Sequence, residues 1–369
     1  MQYLKNAWYV AGWSSEVSRT LLERTICEEP VLLYRKENGD PVAIGNMCPH
    51  RFAPLSRGKL IGDDVQCGYH GLRFGAQGKC VLNPHAADGM IPQKMRVRSY
   101  PAVEKHDMIW LWFGDEAKAD PATIPDFSCN TAPGFTRIGG MFEVKANYEL
   151  ITDNILDLTH ADFLHEGLLS SKAMTDAKLE TLQVGSTVWS NRWAPNGDPA
   201  PAWKMAFDNY DKPVDHWGYT RWDAPAHLLL DVGVSPVGRP RGEGMWLYGT
   251  DIFTPKDATS TYYFWAFARN YRVDDKSVDE FWGQAIKIAF EGQDKGMLEA
   301  QQAMMGDRTL DEIGPVMIVA DAAATRARRV LRQLIENDDA GTNPVSAGQP
   351  PLELVRERGH SQAPVLPVV

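Results

Sequence analysis

Cysteine is scarce: five in 369 residues, an odd number. That count argues against a disulfide framework and for Cys27, Cys48, Cys67, Cys80 and Cys129 as thiols or metal ligands. Long apolar runs are missing, since clusters such as "MIWLWF" are far too short to span a bilayer. No G-x-G-x-x-G follows a strand and no G-x-x-x-x-G-K-[ST] occurs, so no nucleotide site is expected. Basic excess is missing too. The formal net charge is −10, which disfavours a nucleic-acid partner. The N-terminal "MQYLKNAWYVAGW" lacks a basic start followed by an apolar stretch, so no signal peptide and a cytoplasmic, non-membrane protein are expected. No internal repeat is found.

What remains is an ordinary globular composition, 44% hydrophobic with 12 tryptophans, long enough for two domains. The first part reads as β-rich. "PVLLYRKENGDPVAIGNMC" is two apolar runs around an Asn38-Gly39 turn, "HGLRFGAQGKCVL" turns between Gly75 and Gly78, and "MIWLWFGD" is an aromatic strand. Pro121, Pro125 and Pro133 mark a domain boundary. Beyond it come a short strand in "GGMFEVKANYE", a helix in "LITDNILDLTHADFLH", and strands in "HLLLDVGV", "GMWLYGTDIF" and "STYYFWAFARNY". An amphipathic helix from about Val278 to Met305 and another near Asp321 to Glu336 follow. The tail from Asp339 is rich in Pro, Gly and Ser and is expected to be poorly ordered.

The stretch "CPHRFAPLSRGKLIGDDVQCGYH" holds Cys48-x-His50 and, sixteen residues on, Cys67-x-x-His70. Thiolates with imidazoles fit zinc or an iron–sulfur cluster. Zinc fingers usually pair cysteines in one arm and histidines in the other. Here each arm supplies one of each, which suits a two-iron, two-sulfur centre with both thiolates on one iron and both imidazoles on the other. Pro49 stiffens one loop, and Gly68 and Gly71 would let backbone N–H groups approach the sulfurs. Zinc is the larger rival reading.

These residues carry a resemblance. "CPHRFAPLSRGKL…VQCGYHGLRF" is similar to the iron–sulfur domain of the Rieske non-haem iron oxygenases, especially the oxygenase components of aromatic O-demethylases acting on vanillate and dicamba. It extends through "CVLNPH", "DNILDLTHADFLH" and "YFWAFARNY" to "DAAATRARRVLRQLI". The resemblance implies an α+β protein: an all-β Rieske domain over 1–125, a helix-grip (START-like) catalytic domain with a curved antiparallel sheet over 136–338, and a tail over 339–369.

A second metal is expected in "NILDLTHADFLH", with His160 and His165 as ligands. Residues five apart lie about 140° from one another on a straight helix, so irregularity is predicted around Ala161 to Leu164. For the third ligand, Trp282, Ile286, Phe290, Met297 and Met304 mark a buried stripe in which Asp294 falls, and Glu291 competes for the place. The resemblance favours Asp294. It also implies that Asp157 joins a Rieske histidine, His70, of one chain to His160 of a neighbour, hence a homotrimer, with Asn154 orienting the site.

Cys27, Cys80 and Cys129 read as structural thiols. His85, His106, His216, His227 and His360 read as scattered, and Arg51 beside the cluster either faces a redox partner or braces a loop. For the pocket, the resemblance points to Asp251, while Trp265 and Phe267 are candidate aromatic walls, and no Arg or Lys stands out as a carboxylate anchor. The implied activity is that of a terminal oxygenase. Fed by a flavin/iron–sulfur reductase from NADH, it would use O2 to demethylate a small methoxylated aromatic and release formaldehyde. The alternatives are ring hydroxylation, an electron carrier with a binding domain, and a zinc-stabilised interaction module.

Overall fold

The computed structural model describes residues 2–206 and 210–340; the tail expected from 339 lies, beyond 340, outside the described residues, as does His360. The described chain forms two compact units. One comprises the residues up to Ile124 with Thr254–Ala258, the other Pro125–Phe253 with the residues from Thr259 onward. No described helix is long and apolar enough to cross a membrane.

The first unit is all β, in three antiparallel sheets. Ala7–Trp13 and Met108–Phe113 pair with every residue buried, which explains their aromatic, non-alternating sequences. Leu22–Ile26, Glu29–Arg35, Pro41–Gly45 and Ser99–Tyr100 make a second sheet, with the Asn38-Gly39 turn joining its middle strands and Gly39 at φ 93°. The third contains Lys59–Ile61, Asp64–Gln66, Arg73–Phe74 and Cys80–Leu82. Its core packs Leu55, Val65, Leu72 and Phe74 around Cys48, Cys67 and Cys80. Gly58 and Gly68 are there because two backbone stretches nearly touch. A Cβ on Gly58 would lie 2.0 Å from the Gln66 carbonyl oxygen, and one on Gly68 2.7 Å from that of Arg57.

The second unit is a seven-stranded antiparallel sheet with helices, so the protein is α+β. Its strands are β1 (Thr136–Val144), β2 (Lys178–Val184), β3 (Thr187–Gly197), β4 (Val214–Asp223), β5 (His227–Pro236), β6 (Met245–Asp257) and β7 (Ser260–Arg269), in spatial order β1-β7-β6-β5-β4-β3-β2. β2, β3 and β4 escape a hydrophobicity reading. In β3 the residues that alternate along one face include Ser190 and Arg192, so polar side chains hide the period of two.

Between β1 and β2 runs helix α1 (Tyr148–Leu156), capped by the Asn147 side chain. After β7 the long helix has three parts: α2 (Lys276–Ile286), a π-helical segment Lys287–Asp294, and α3 (Lys295–Met305). Helix α4 spans Ala322–Asp339. The π segment corrects the predicted stripe. Trp282, Ile286 and Phe290 are buried, but Met297 is 50% and Met304 83% exposed; Asp294, Leu298 and Gln302 take the inner face instead. A spacing of four drifts by about 40° per step on an α-helix of 3.6 residues per turn. The wider π turns wind part of that drift back, so one face keeps the four-residue repeat through Gln302.

Candidate active site

In the first unit Cys48 and Cys67 begin two loops with the same backbone wiring. Cys48 N–H donates to the Ala53 carbonyl (2.9 Å) and Phe52 N–H to that of Cys48 (2.9 Å). Likewise Cys67 N–H donates to Leu72 (2.8 Å) and Gly71 N–H to Cys67 (3.0 Å). Phe52 (φ 58°) and Gly71 (φ 72°) hold the equivalent left-handed position. Both cysteines are buried, whereas His50 is exposed and His70 half-buried, with the two rings 4.5 Å apart between centroids. The sulfurs thus lie inward and the imidazoles toward the surface.

The backbone N–H groups of His50 and Arg51 hydrogen-bond the Cys48 sulfur. Gly71 N–H donates to the Cys67 carbonyl, and Gly68 is needed for the close approach of two backbone stretches. Burial pushes the Cys48 thiol up, with the neighbouring Cys67 adding to it. Desolvation, then His50, His85 and Arg51, hold His70 below its usual value, in the neutral form a metal requires. His85 is not a bystander: its Nε2 meets the His70 carbonyl at 2.9 Å. Cys27, Cys80 and Cys129 are all buried.

In the second unit α1 stops at Asp157 (φ −117°, ψ 95°), whose carboxylate caps the next turn by accepting from Thr159 N–H at 2.9 Å. A 3-10 turn Leu158–His160 and one helical turn Ala161–Leu164 follow, and His165 is non-helical. The irregularity therefore sits at Asp157–His160 and at His165, while the predicted 161–164 segment is the one regular turn between them. Capping by Asp157 moved the break.

His160 Nδ1 lies 2.7 Å from the Asp157 carbonyl oxygen and His165 Nδ1 2.8 Å from Gln293 Oε1. Both partners only accept, so each Nδ1 carries the hydrogen and each Nε2 presents a lone pair. Those Nε2 atoms face one carboxylate, 3.5 Å from Asp294 Oδ1 and 3.1 Å from Oδ2 respectively. Donor atoms of His160, His165 and Asp294 lie within 4.8 Å of one another. Asp294 is 2% exposed, and among the described residues its Oδ2 has no hydrogen-bond partner. A buried carboxylate so placed calls for a cation, and two imidazoles with one carboxylate fit iron with open positions.

Asn154 Nδ2 donates to Asp294 Oδ1 at 3.3 Å, a bracing contact. Burial lowers His160; at His165 burial acts the same way but Asp294 and Gln293 outweigh it, and the net shift is upward. Glu291 is exposed and takes no part. Gln293 was not foreseen, because only the π turn brings it and Asp294 to the same side. Within the chain the Asp157 carboxylate meets Thr159 Oγ1 (2.8 Å) and Arg192 Nη2 (3.4 Å), while its carbonyl, not its carboxylate, meets His160.

Against these residues opens a cavity of ≈130 Å³ lined by Ile155, Leu158, Leu230, Val232, Leu247, Phe267, Trp282 and Phe290 among others. An apolar cavity of that order holds one aromatic ring. Of the three pocket candidates, Phe267 is among the lining residues; Asp251 and Trp265 are not. Arg192 and His216 are, although sequence reading passed over both, since neither stands in a motif.

Asp251 lies behind the wall, fully buried, accepting from Tyr263 Oη at 2.7 Å, and burial pushes its carboxyl up to about 7. A folded-state value above the unfolded one means the contribution to stability is present at low pH and is lost as pH rises through about 7. Asp251→Asn is therefore expected to flatten the fall in stability between pH 5 and 8, an effect on the order of 1–3 kcal/mol that melting temperature follows. Asp153, also pushed to about 7 by burial, keeps a residual slope. An unchanged pH profile in thermal melts of the variant would refute this.

Residues 7–101 match the Rieske [2Fe-2S] domain and residues 144–337 the vanillate O-demethylase oxygenase C-terminal domain. The chain is 36% identical over 334 residues to the oxygenase component of dicamba O-demethylase from Stenotrophomonas maltophilia, covering 90% of this chain and 98% of that one. It is 37% identical over 341 residues to the oxygenase component of chloroacetanilide N-alkylformylase from Rhizorhabdus wittichii (90% and 96%). A crystal structure of dicamba monooxygenase bound to 3,6-dichlorosalicylic acid superposes with a TM-score of 0.87 at 35% identity, over 92% of this chain and all of that one.

Proposed function

The chain belongs to the Rieske non-haem iron oxygenases, as an oxygenase component of the O-demethylase family, and from that premise we propose that it O-demethylates a vanillate-like methoxylated aromatic compound and releases formaldehyde. Electrons would come from NADH through a separate flavin/iron–sulfur reductase, and the enzyme would be a cytoplasmic homotrimer. In this reading residues 1–125 carry the cluster on Cys48, His50, Cys67 and His70, and residues 136–338 hold iron on His160, His165 and Asp294. The observation that carries it is the convergence of two imidazoles and a buried carboxylate on a one-ring apolar cavity, in a chain with a Rieske domain.

When bound, the iron supplies dioxygen activation and the cluster supplies electrons one at a time. The chain's own residues do the rest. Gln293 and the Asp157 carbonyl hold the two rings with their lone pairs inward, Asn154 steadies Asp294, and the apolar walls exclude water from the reacting methoxy group. Hydroxylation of the methyl carbon gives a hemiacetal that collapses to a phenol and formaldehyde. Asp157, partly exposed beside His160, would connect to the His70 of a neighbouring chain.

The test is NADH-coupled oxygen uptake with a matched reductase across a panel of methoxylated aromatics. Formaldehyde stoichiometric with product is expected. A ring-hydroxylated product with the methoxy group intact would replace this reading by ring hydroxylation.

A further inference from the structure

We propose that Arg192 and His216 recognise the carboxylate of an aromatic acid substrate, Arg192 supplying the charge and His216 a neutral hydrogen bond. The inference rests on the demethylase reading above and adds the residues that would select an acid over a neutral methoxyarene.

Both side chains come from the sheet. Arg192 on β3 pairs with Gly218 on β4, and Ala194 pairs with His216, so Arg192 and His216 are diagonal neighbours on one face. That face lines the cavity. Opposite Arg192 stands a residue with no side chain. A Cβ on Gly218 would already be 3.2 Å from Met174 Cε and 3.8 Å from Leu158 Cδ1, both from cavity-lining residues. Met174 and Leu158 occupy the place a side chain would take there, and Arg192, Gly218, Met174 and Leu158 together line this part of the cavity.

Both groups also have hydrogen-bonding capacity left over. Arg192 has a side chain only 6% exposed and five N–H donors, yet among the described residues its one side-chain hydrogen bond is a long one, Nη2 to Asp157 Oδ1 at 3.4 Å. His216 is 4% exposed, and among the described residues its Nδ1 has no partner. Burial pushes its ring down to about 4, so it is neutral near pH 7. A buried ring nitrogen without a partner, as at His216 Nδ1, is unfavourable unless a ligand supplies one, whereas Arg192 has the carboxylates of Asp157 and Asp162 near it. Several other polar atoms around the cavity are engaged: Ser170 Oγ with Asp162, Trp217 Nε1 with Asp231 (2.9 Å) and Trp282 Nε1 with Tyr271 (2.7 Å). A planar carboxylate matches the guanidinium fork. The rival role for Arg192 is to brace Asp157, which would make it a positioning residue with no preference for acids.

Equilibrium binding separates the two roles without turnover. The holoenzyme would be titrated anaerobically with 2-, 3- and 4-methoxybenzoate and with the matching methoxybenzamides, followed by calorimetry. At least one acid should bind about tenfold or more tightly than its amide. Arg192→Met should weaken that acid by roughly 10–100-fold while moving the amide by less than about threefold, with Arg192→Lys in between. His216→Phe should cost the acid a smaller factor. Visible absorption and melting temperature check that each variant is folded and keeps its cluster.

Equal binding of acid and amide by the wild type would overturn the proposal, as would parallel loss of both in Arg192→Met. The two readings can fail separately. Acids that bind through Arg192 but yield no formaldehyde leave the anchor standing and remove demethylation. Formaldehyde from neutral methoxyarenes, with no binding of the acids, does the reverse.

Discussion

Asp294→Ala is expected to remove one iron from each chain, from about three to about two, and to lower oxygen uptake and product formation by more than about 100-fold. The argument is electrostatic. Among the described residues Asp294 is the one carboxylate paired with both His160 and His165, it is buried, and its Oδ2 has no hydrogen-bond partner. Without it two neutral imidazoles face an apolar cavity with nothing to offset the charge of the ion. The visible absorption and EPR signal of the iron–sulfur centre should persist, because its loops belong to the other unit. Glu291→Ala is the control: that residue is exposed, and its variant should keep all the iron. Metal analysis decides, and an Asp294→Ala protein that retained its third iron would remove these three residues as the site.

Cys67→Ser is expected to do the opposite. The red-brown colour and the EPR signal of the cluster should vanish and reductase-driven oxygen uptake should stop, while the iron at His160, His165 and Asp294 remains. A serine oxygen is a poor substitute for a thiolate on iron. The damage should spread beyond redox chemistry. Cys67 is 2% exposed and sits in the core with Val65, Leu72 and Phe74, so losing the cluster also unties two loops that hold that core together. Thermal melts should show the first unit unfolding earlier by several degrees. A His70→Cys variant gives a graded counterpart, with a reduction potential lower by some hundreds of millivolts if a cluster assembles. A colourless wild-type protein containing zinc would end this line altogether.

Much of the site could be read locally. The paired Cys-x-His and Cys-x-x-His arms lie within 23 residues, and their distribution, one Cys and one His in each arm, favours an iron–sulfur centre over a zinc finger. His160 and His165 stand close together in one segment, and their spacing announced that a regular helix could not serve both. The position of the break was missed because Asp157 acts as a cap, a side-chain-to-backbone contact that spacing does not reveal. Asp294 was found by a stripe that was only half right. Met297 and Met304 face outward, and the buried series continues through Leu298 and Gln302, because eight residues adopt π turns. Apolar periodicity assumes a fixed number of residues per turn, so it cannot register a local change of pitch. The same change brings in Gln293, which holds His165.

The amino-acid sequence by itself determined which atoms are available for metal binding and how neighbouring ones are spaced, since cluster loops and a broken helix are properties of short segments. Only the tertiary structure decided what meets across long separations: Gln293 against His165, Asn154 against Asp294, and Arg192 beside His216 on the cavity face of the sheet. The reason is that strand register and helix pitch are set by packing of the whole unit, and a one-residue change in either would turn these side chains away.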